Sequence, residues 1–218
     1  MFKKRYIKAA AIALACLVLS GTAVYAGRGM TWYGYGRPGE YTSYSGIGAA
    51  FEKAGIDASA PETLPHGFTF KEASINTFGQ MDDGNKKISK YQGVDVYYTD
   101  AEGQKITLVI EPVVTGDSDE EPVAQREIAD GIVARFDSHE MLTVPSRDEV
   151  SEEDAMRELT DPKFWISEGG GSTETERQIY NNVRFEIGDV SYDILGFDLD
   201  LTQDEMFELA KAVAEQNL

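Results

Sequence analysis

Three times in this sequence, two β-rich runs meet across a short turn. Tyr91 to Thr99 leads through Asp100-Ala101-Glu102-Gly103 into Lys105 to Pro112. Gln125 to Ile128 and Ile132 to Phe136 flank Ala129-Asp130-Gly131, and Gln178 to Ile187 reaches Val190 to Phe197 through Gly188-Asp189. Turns this short return the chain beside itself, so each pair predicts a hairpin and the sheet is expected to be antiparallel. Phe68 and Phe70, alternating with Thr69 and Lys71, open a further strand running through Ile75 to about Phe78, with a turn at Asp82-Asp83-Gly84-Asn85. Phe164 to Ser167 reads as one more strand.

The helical signals are fewer and local. Ile47, Ala50, Phe51 and Ala54 recur at helical spacing and stop at Gly55. Ser151-Glu152-Glu153-Asp154 places a capping serine and three carboxylates over a first turn, and Pro162 lies just past the expected end near Leu159. Thr202 and Glu205 form a capping box, with Leu201 and Met206 placed as a hydrophobic staple. From there Met206, Leu209, Ala210 and Val213 make a stripe of 3.6-residue period that predicts a helix lying on one face of the sheet.

The expected architecture is an antiparallel sheet with the C-terminal helix packed on one face and short additional helices, forming one domain over residues 46–218. The chain has one cysteine, Cys16, inside the N-terminal apolar run. No intrachain disulfide or cysteine-based zinc site is therefore possible, and packing alone must hold the fold. With 42% apolar residues in 218, a packed core is expected.

Residues 1–26 have the order of an export signal. Lys3, Lys4, Arg5 and Lys8 precede the apolar stretch Ala9 to Leu19, which Ser20-Gly21-Thr22 interrupts before Val24-Tyr25-Ala26. The alternatives are an uncleaved anchor, since Ala9 to Gly27 carries no charge, and lipidation of Cys16, for which Leu14 stands one position too late. Each predicts an extracytoplasmic location, secreted or held at the cell surface, with membrane contact only through this segment if it stays uncleaved. Residues 27–45, rich in Gly, Tyr and Ser, read as a flexible spacer; an arm stacking on a glycan or envelope polymer is the rival reading.

Charge removes one class of function. Lys and Arg number 20 against 38 Asp and Glu, a formal charge of −18. Cleavage after Ala26 would leave 16 basic residues against 38 acidic, or −22. Nucleic-acid phosphates need a basic face, so no nucleic-acid partner is expected. The acidic stretch Asp117 to Glu121 reads as a solvated loop.

The residues for several chemistries are missing. Beyond residue 26 there is no cysteine, the only histidines are His66 and His139, and no Gly-x-Ser-x-Gly elbow appears. Both histidines read as surface turn residues, and no helical His-x-x-x-His spacing supports a metal site. Gly169-Gly170-Gly171-Ser172-Thr173 lacks the lysine of a phosphate loop and reads as a mobile loop. Asp198-Leu199-Asp200-Leu201-Thr202 starts like a calcium loop, but Gln203 replaces its glycine and Leu209 its bidentate glutamate. No cofactor, metal or catalytic residue is expected. Two carboxylates working as in a glycoside hydrolase remain an alternative that only spatial separation decides. Trp165, Tyr97, Tyr180 and Tyr192, with Tyr98, are the candidate lining of a ligand groove, against a reading as core and cross-strand pairs.

Lys53-Ala54-Gly55-Ile56, then Pro61-Glu62-Thr63-Leu64-Pro65-His66-Gly67-Phe68, Val144-Pro145, Gly188-Asp189-Val190-Ser191-Tyr192 and Thr202 to Val213 together span about residues 47–216. In these features the chain resembles exported domains of unknown function from Gram-positive bacteria, which occur alone, in lipoproteins, or outside the membrane in anti-sigma factors. The resemblance implies an α+β domain, a curved antiparallel sheet with the last helix packed on it and short additional helices, serving in envelope sensing or regulation. The short stretch ahead of the apolar run leaves no room for a sigma-binding domain, so the likeness is to a stand-alone member. Phe185 stands where relatives often carry Trp. The expected function is a non-catalytic extracytoplasmic binding or regulatory domain, its partner an unknown envelope protein, polymer or small ligand. The alternatives are a carboxylate-dependent hydrolase and a lipid or small-ligand carrier with an apolar cavity under the last helix.

Overall fold

The structure is a computed structural model that describes residues 31–36, 39–81, 87–113, 121–168 and 173–218. The segment read as an export signal, the turn at 82–85, the acidic stretch up to residue 120 and the glycine run at 169–172 lie outside the described residues. Among the described residues, no helix is long and apolar enough to cross a membrane.

The elements in chain order are β1 (Thr31–Gly36), α1 (Ile47–Ala54), β2 (Thr69–Met81), β3 (Lys87–Thr99), β4 (Lys105–Pro112), β5 (Ala124–Ala129), β6 (Ile132–Val144), α2 (Glu152–Thr160), β7 (Phe164–Glu168), β8 (Glu176–Ile187), β9 (Val190–Phe197) and α3 (Gln203–Gln216). The strands hydrogen-bond in the order β1-β2-β3-β4-β9-β8-β6-β5, with β7 beside β6. The three expected hairpins are present and antiparallel, and β4 and β9 are antiparallel too. The class is α+β. β1 falls within the stretch read as spacer: Thr, Trp and Tyr favour extended backbone, and the interleaved glycines hide their period.

The chain divides into two compact units. Among the described residues, one holds Thr31–Tyr35, Phe78–Lys90 and His139–Ile179; the other holds Gly36–Thr77, Tyr91–Ser138 and Tyr180–Leu218. Most of these divisions fall inside β2, β3, β6 and β8. No composition shift marks them, which is why the sequence reads a single domain.

In the larger unit, alternation along β3 sends Val94, Val96 and Tyr98 to one face and Asp95 and Tyr97 to the other. Register carries the apolar face across the sheet: Val94 pairs with Ile110 and that with Tyr192, while Val96 pairs with Leu108 and that with Ile194. Met206, Leu209, Ala210 and Val213 of α3 complete the core on this face, all fully buried. Burying the larger of these side chains stabilises the fold by roughly 1.5–3 kcal/mol apiece.

Both ends of α3 are tied down. Thr202 Oγ1 accepts from the Glu205 amide at 3.3 Å while Glu205 Oε2 accepts from the Thr202 amide at 2.7 Å, the expected capping box. At the other end, Asn217 Nδ2 donates to the Val213 carbonyl at 2.8 Å and to the Ser59 carbonyl at 3.1 Å, satisfying a helix-end acceptor. His66, at φ 61°, turns the chain into β2, and its Nε2 lies 3.0 Å from Glu208 of α3.

In the other unit, β7 pairs parallel with the end of β6, Glu140 to Val144 against Phe164 to Glu168. This parallel pair is one that the hairpin pattern did not signal, in a sheet that is otherwise mostly antiparallel. The connection passes through α2, and a crossover of that length permits parallel pairing. His139 is likewise not a turn residue: it sits inside β6, half-buried and stacked on Trp165 with centroids 4.8 Å apart. α2 faces its polar side inward. Met156 and Leu159 are 61% and 80% exposed, whereas Arg157 bonds Glu140 and Asp161 at 2.8 and 3.0 Å. Arg177 bonds Glu140 at 2.8 Å and Asp154 at 2.5 Å, and both guanidiniums lie over the Phe164 ring.

Candidate functional site

The sheet face of the larger unit that points away from α3 carries an unusual set of buried polar groups. Asp95 on β3 pairs with Val109 on β4, Val109 with Asp193 on β9, and Asp193 with Arg184 on β8, so these four form one row across the strands. Glu111 lies two residues beyond Val109 on the same face of β4. A parallel row holds Tyr97, Thr107, Leu195 and Asn182. Ser74 and Asn76 of β2 reach the row by side-chain hydrogen bonds.

Asp95 is the most buried of the three carboxyls, 7% exposed. Its Oδ2 accepts from Asn76 Nδ2 and from Tyr97 Oη, the latter at 3.4 Å. Its Oδ1 is buried and receives no hydrogen bond among the described residues. Val109, Glu111, Tyr97, Asp193 and Arg184 around it are only half-buried. Asn182 Nδ2 donates to Asp193 Oδ1 at 3.2 Å, and Arg184 Nε donates to Ser191 Oγ at 3.1 Å.

Removal from water shapes the electrostatics here, because a desolvated carboxyl resists ionisation. Burial, with Glu111 adding repulsion, pushes the Asp95 carboxyl up to about 7 against the hydrogen bonds from Tyr97 and Asn76. Burial likewise raises Glu111 to about 7, opposed by Arg184 and reinforced by Asp193. Asp193 rises to about 6, again chiefly through burial, with Arg184 and Asn182 pulling it down. Tyr91, on the same face of β3, is raised by burial and by Glu111. Three carboxyls with values near neutrality can trade protons, donate as acids, or hold a cation as carboxylates. Titratable groups shifted this way mark candidate binding or catalytic surfaces.

The four aromatic residues singled out in the sequence do not form one groove. Tyr192 points to the α3 side, where it stacks on Phe185 at 5.0 Å inside the core. Tyr180 lies on the polar face but is buried against Phe197. Trp165 belongs to the other unit, stacked on His139. Tyr97 hydrogen-bonds Asp95, and Tyr180 feels the charge of Asp193. Tyr98 is a core residue whose hydroxyl donates to the Pro61 carbonyl at 2.8 Å. The apolar side beneath α3, where a carrier would need its cavity, contains fully buried Tyr98, Tyr192, Phe207, Ile194 and Leu209.

Asp95, Glu111 and Asp193 were not singled out in the sequence, although a signal exists for two of them. Aspartate is depleted from strand interiors, yet Val94-Asp95-Val96 and Tyr192-Asp193-Ile194 each set one between strand-forming neighbours. Among the described residues, no group of three or more His, Cys, Asp or Glu side chains is arranged to hold a metal ion. No family model, curated protein or solved structure matches this chain.

Proposed function

We propose that this protein is a non-catalytic extracytoplasmic binding or regulatory domain, and that the face around Asp95 is its binding surface. The observation that carries the reading is the Oδ1 atom of Asp95, a buried acceptor with no donor among the described residues. An unsatisfied buried group of this kind costs about 1–3 kcal/mol, which a donor from a bound partner would recover. Val109, Glu111, Tyr97, Asp193 and Arg184 are half-buried and form the exposed rim that a partner would meet. A role in envelope sensing follows from the resemblance to exported Gram-positive domains and from the leader-like N-terminus.

The test is a titration of the protein with a panel of envelope saccharides, amines, amino acids and short peptides, followed by amide chemical shifts. A ligand that moves the amides of 93–97, 107–111 and 191–195 supports the reading. A panel that binds elsewhere, or leaves those amides unmoved, overturns it.

The second reading is a hydrolase using paired carboxylates, favoured by Asp95 and Glu111 both being raised toward neutrality. Glycoside or ester hydrolysis that Asp95→Asn or Glu111→Gln abolishes would replace the non-catalytic reading with this one.

A further inference from the structure

The charges on the Asp95 face do not balance. Asp95, Glu111 and Asp193 stand against Arg184, which acts on Glu111 and Asp193. Among the described residues no cation offsets Asp95, whose neighbours are the neutral Asn76 and Tyr97 and the acidic Glu111. With all three carboxyls ionised, they and Arg184 together carry a net charge of −2.

Spacing selects how that charge can be offset. Asp95 and Asp193 both pair with Val109 and so sit two interstrand steps apart, about 10 Å between their Cα atoms. The carboxyls therefore do not converge as the shell of one metal ion requires, in keeping with the absence of a metal-holding group among the described residues. Between them lies Val109, apolar and half-buried. A fitting cation divides its charge between two N–H-bearing ends joined by an apolar linker. Ammonium ends also supply the donor that Asp95 Oδ1 lacks, and the Tyr97 ring lies beside that end on the same face of β3.

We propose that this face binds a linear α,ω-diamine, one ammonium group donating to Asp95 Oδ1, the other lying between Glu111 and Asp193, and the methylenes crossing Val109. The proposal rests on the reading of this face as the binding surface and adds the class of ligand. A chain of four or five carbons, with a hydrogen bond at each end, spans the gap between the carboxyls.

The experiment is calorimetry on the full chain at physiological salt, where nonspecific attraction to the acidic surface is screened. The probes are 1,4-diaminobutane, butylamine, butane-1,4-diol and calcium chloride. Diaminobutane is expected to bind, butylamine at least tenfold more weakly, and the diol and calcium not at all. Asp95→Asn is expected to weaken diaminobutane at least tenfold, and Glu52→Gln, an exposed acid on α1, by less than twofold. Glu111→Gln takes the place of Asp95→Asn if that variant fails to fold. Equal loss in the Glu52 variant, unchanged affinity in the Asp95 variant, competition by calcium, or no diamine binding would each overturn the proposal. If the diol binds as well as the diamine and moves the amides of 93–97, the cation class fails while the binding surface stands.

Discussion

Replacing Asp95 with Asn removes one ionisable group and keeps nearly the same shape, so its effect on stability should depend on pH. An unfolded chain gives up the Asp95 proton near the ordinary 3.8, whereas the folded protein holds it to about 7. Between those values the native state binds more protons than the unfolded one, and stability must fall as pH rises. The slope is at most about 1.4 kcal/mol per pH unit, and about three units of displacement give up to about 4 kcal/mol in total. Above pH 7 the contribution is constant. Asn cannot ionise, so the variant loses this decline and gains on the natural chain across the window. Glu111 and Asp193, raised to about 7 and 6, remain in the variant and leave a shallower decline of their own. Urea unfolding of both chains at intervals from pH 4 to pH 8.5 measures the difference directly. It should widen by several kcal/mol with increasing pH and then level off. A difference that stays constant, or that narrows as pH rises, would refute the argument that burial holds this carboxyl in its neutral form.

Other perturbations test other parts of the fold. Leu209→Ala, which empties a fully buried position under α3, should cost about 2–5 kcal/mol in urea unfolding. Thr202→Ala removes half of the capping box and should cost about 1 kcal/mol by the same measurement. At Gly196, an added Cβ would lie 2.9 Å from the Lys105 carbonyl oxygen and 2.8 Å from a Leu199 methyl, so Gly196→Ala should destabilise by about 1–3 kcal/mol and lower the melting temperature. Arg157→Gln breaks the bonds to Glu140 and Asp161, and faster hydrogen exchange confined to the amides of α2 is the expected result.

What was legible in the sequence was what depends on near neighbours. β4 and β9 begin and end where the alternation and turn residues place them, and the caps of α2 and α3 are formed by the serine and threonine that announce them. What escaped depends on register, which links residues far apart in the chain. β6 continues through His139 to Val144 because β7 supplies a partner there, and nothing between 137 and 140 signals it locally. Asp95 and Asp193 stand in strands whose periods are plain. Only the pairing of each with Val109 shows that they share a face, and only burial shows that Asp95 is withdrawn from water. For the same reason Tyr192 and Tyr97 stand on opposite faces of the sheet, a fact that only their register partners reveal.

The attachment of α2 differs in kind from that of α3. One is moored by guanidinium and carboxylate groups with its methionine and leucine turned outward, the other by side chains hidden from solvent. Electrolyte weakens the first kind of mooring and leaves the second intact. A swing in the salinity of its surroundings would therefore loosen one helix of this protein and spare the other.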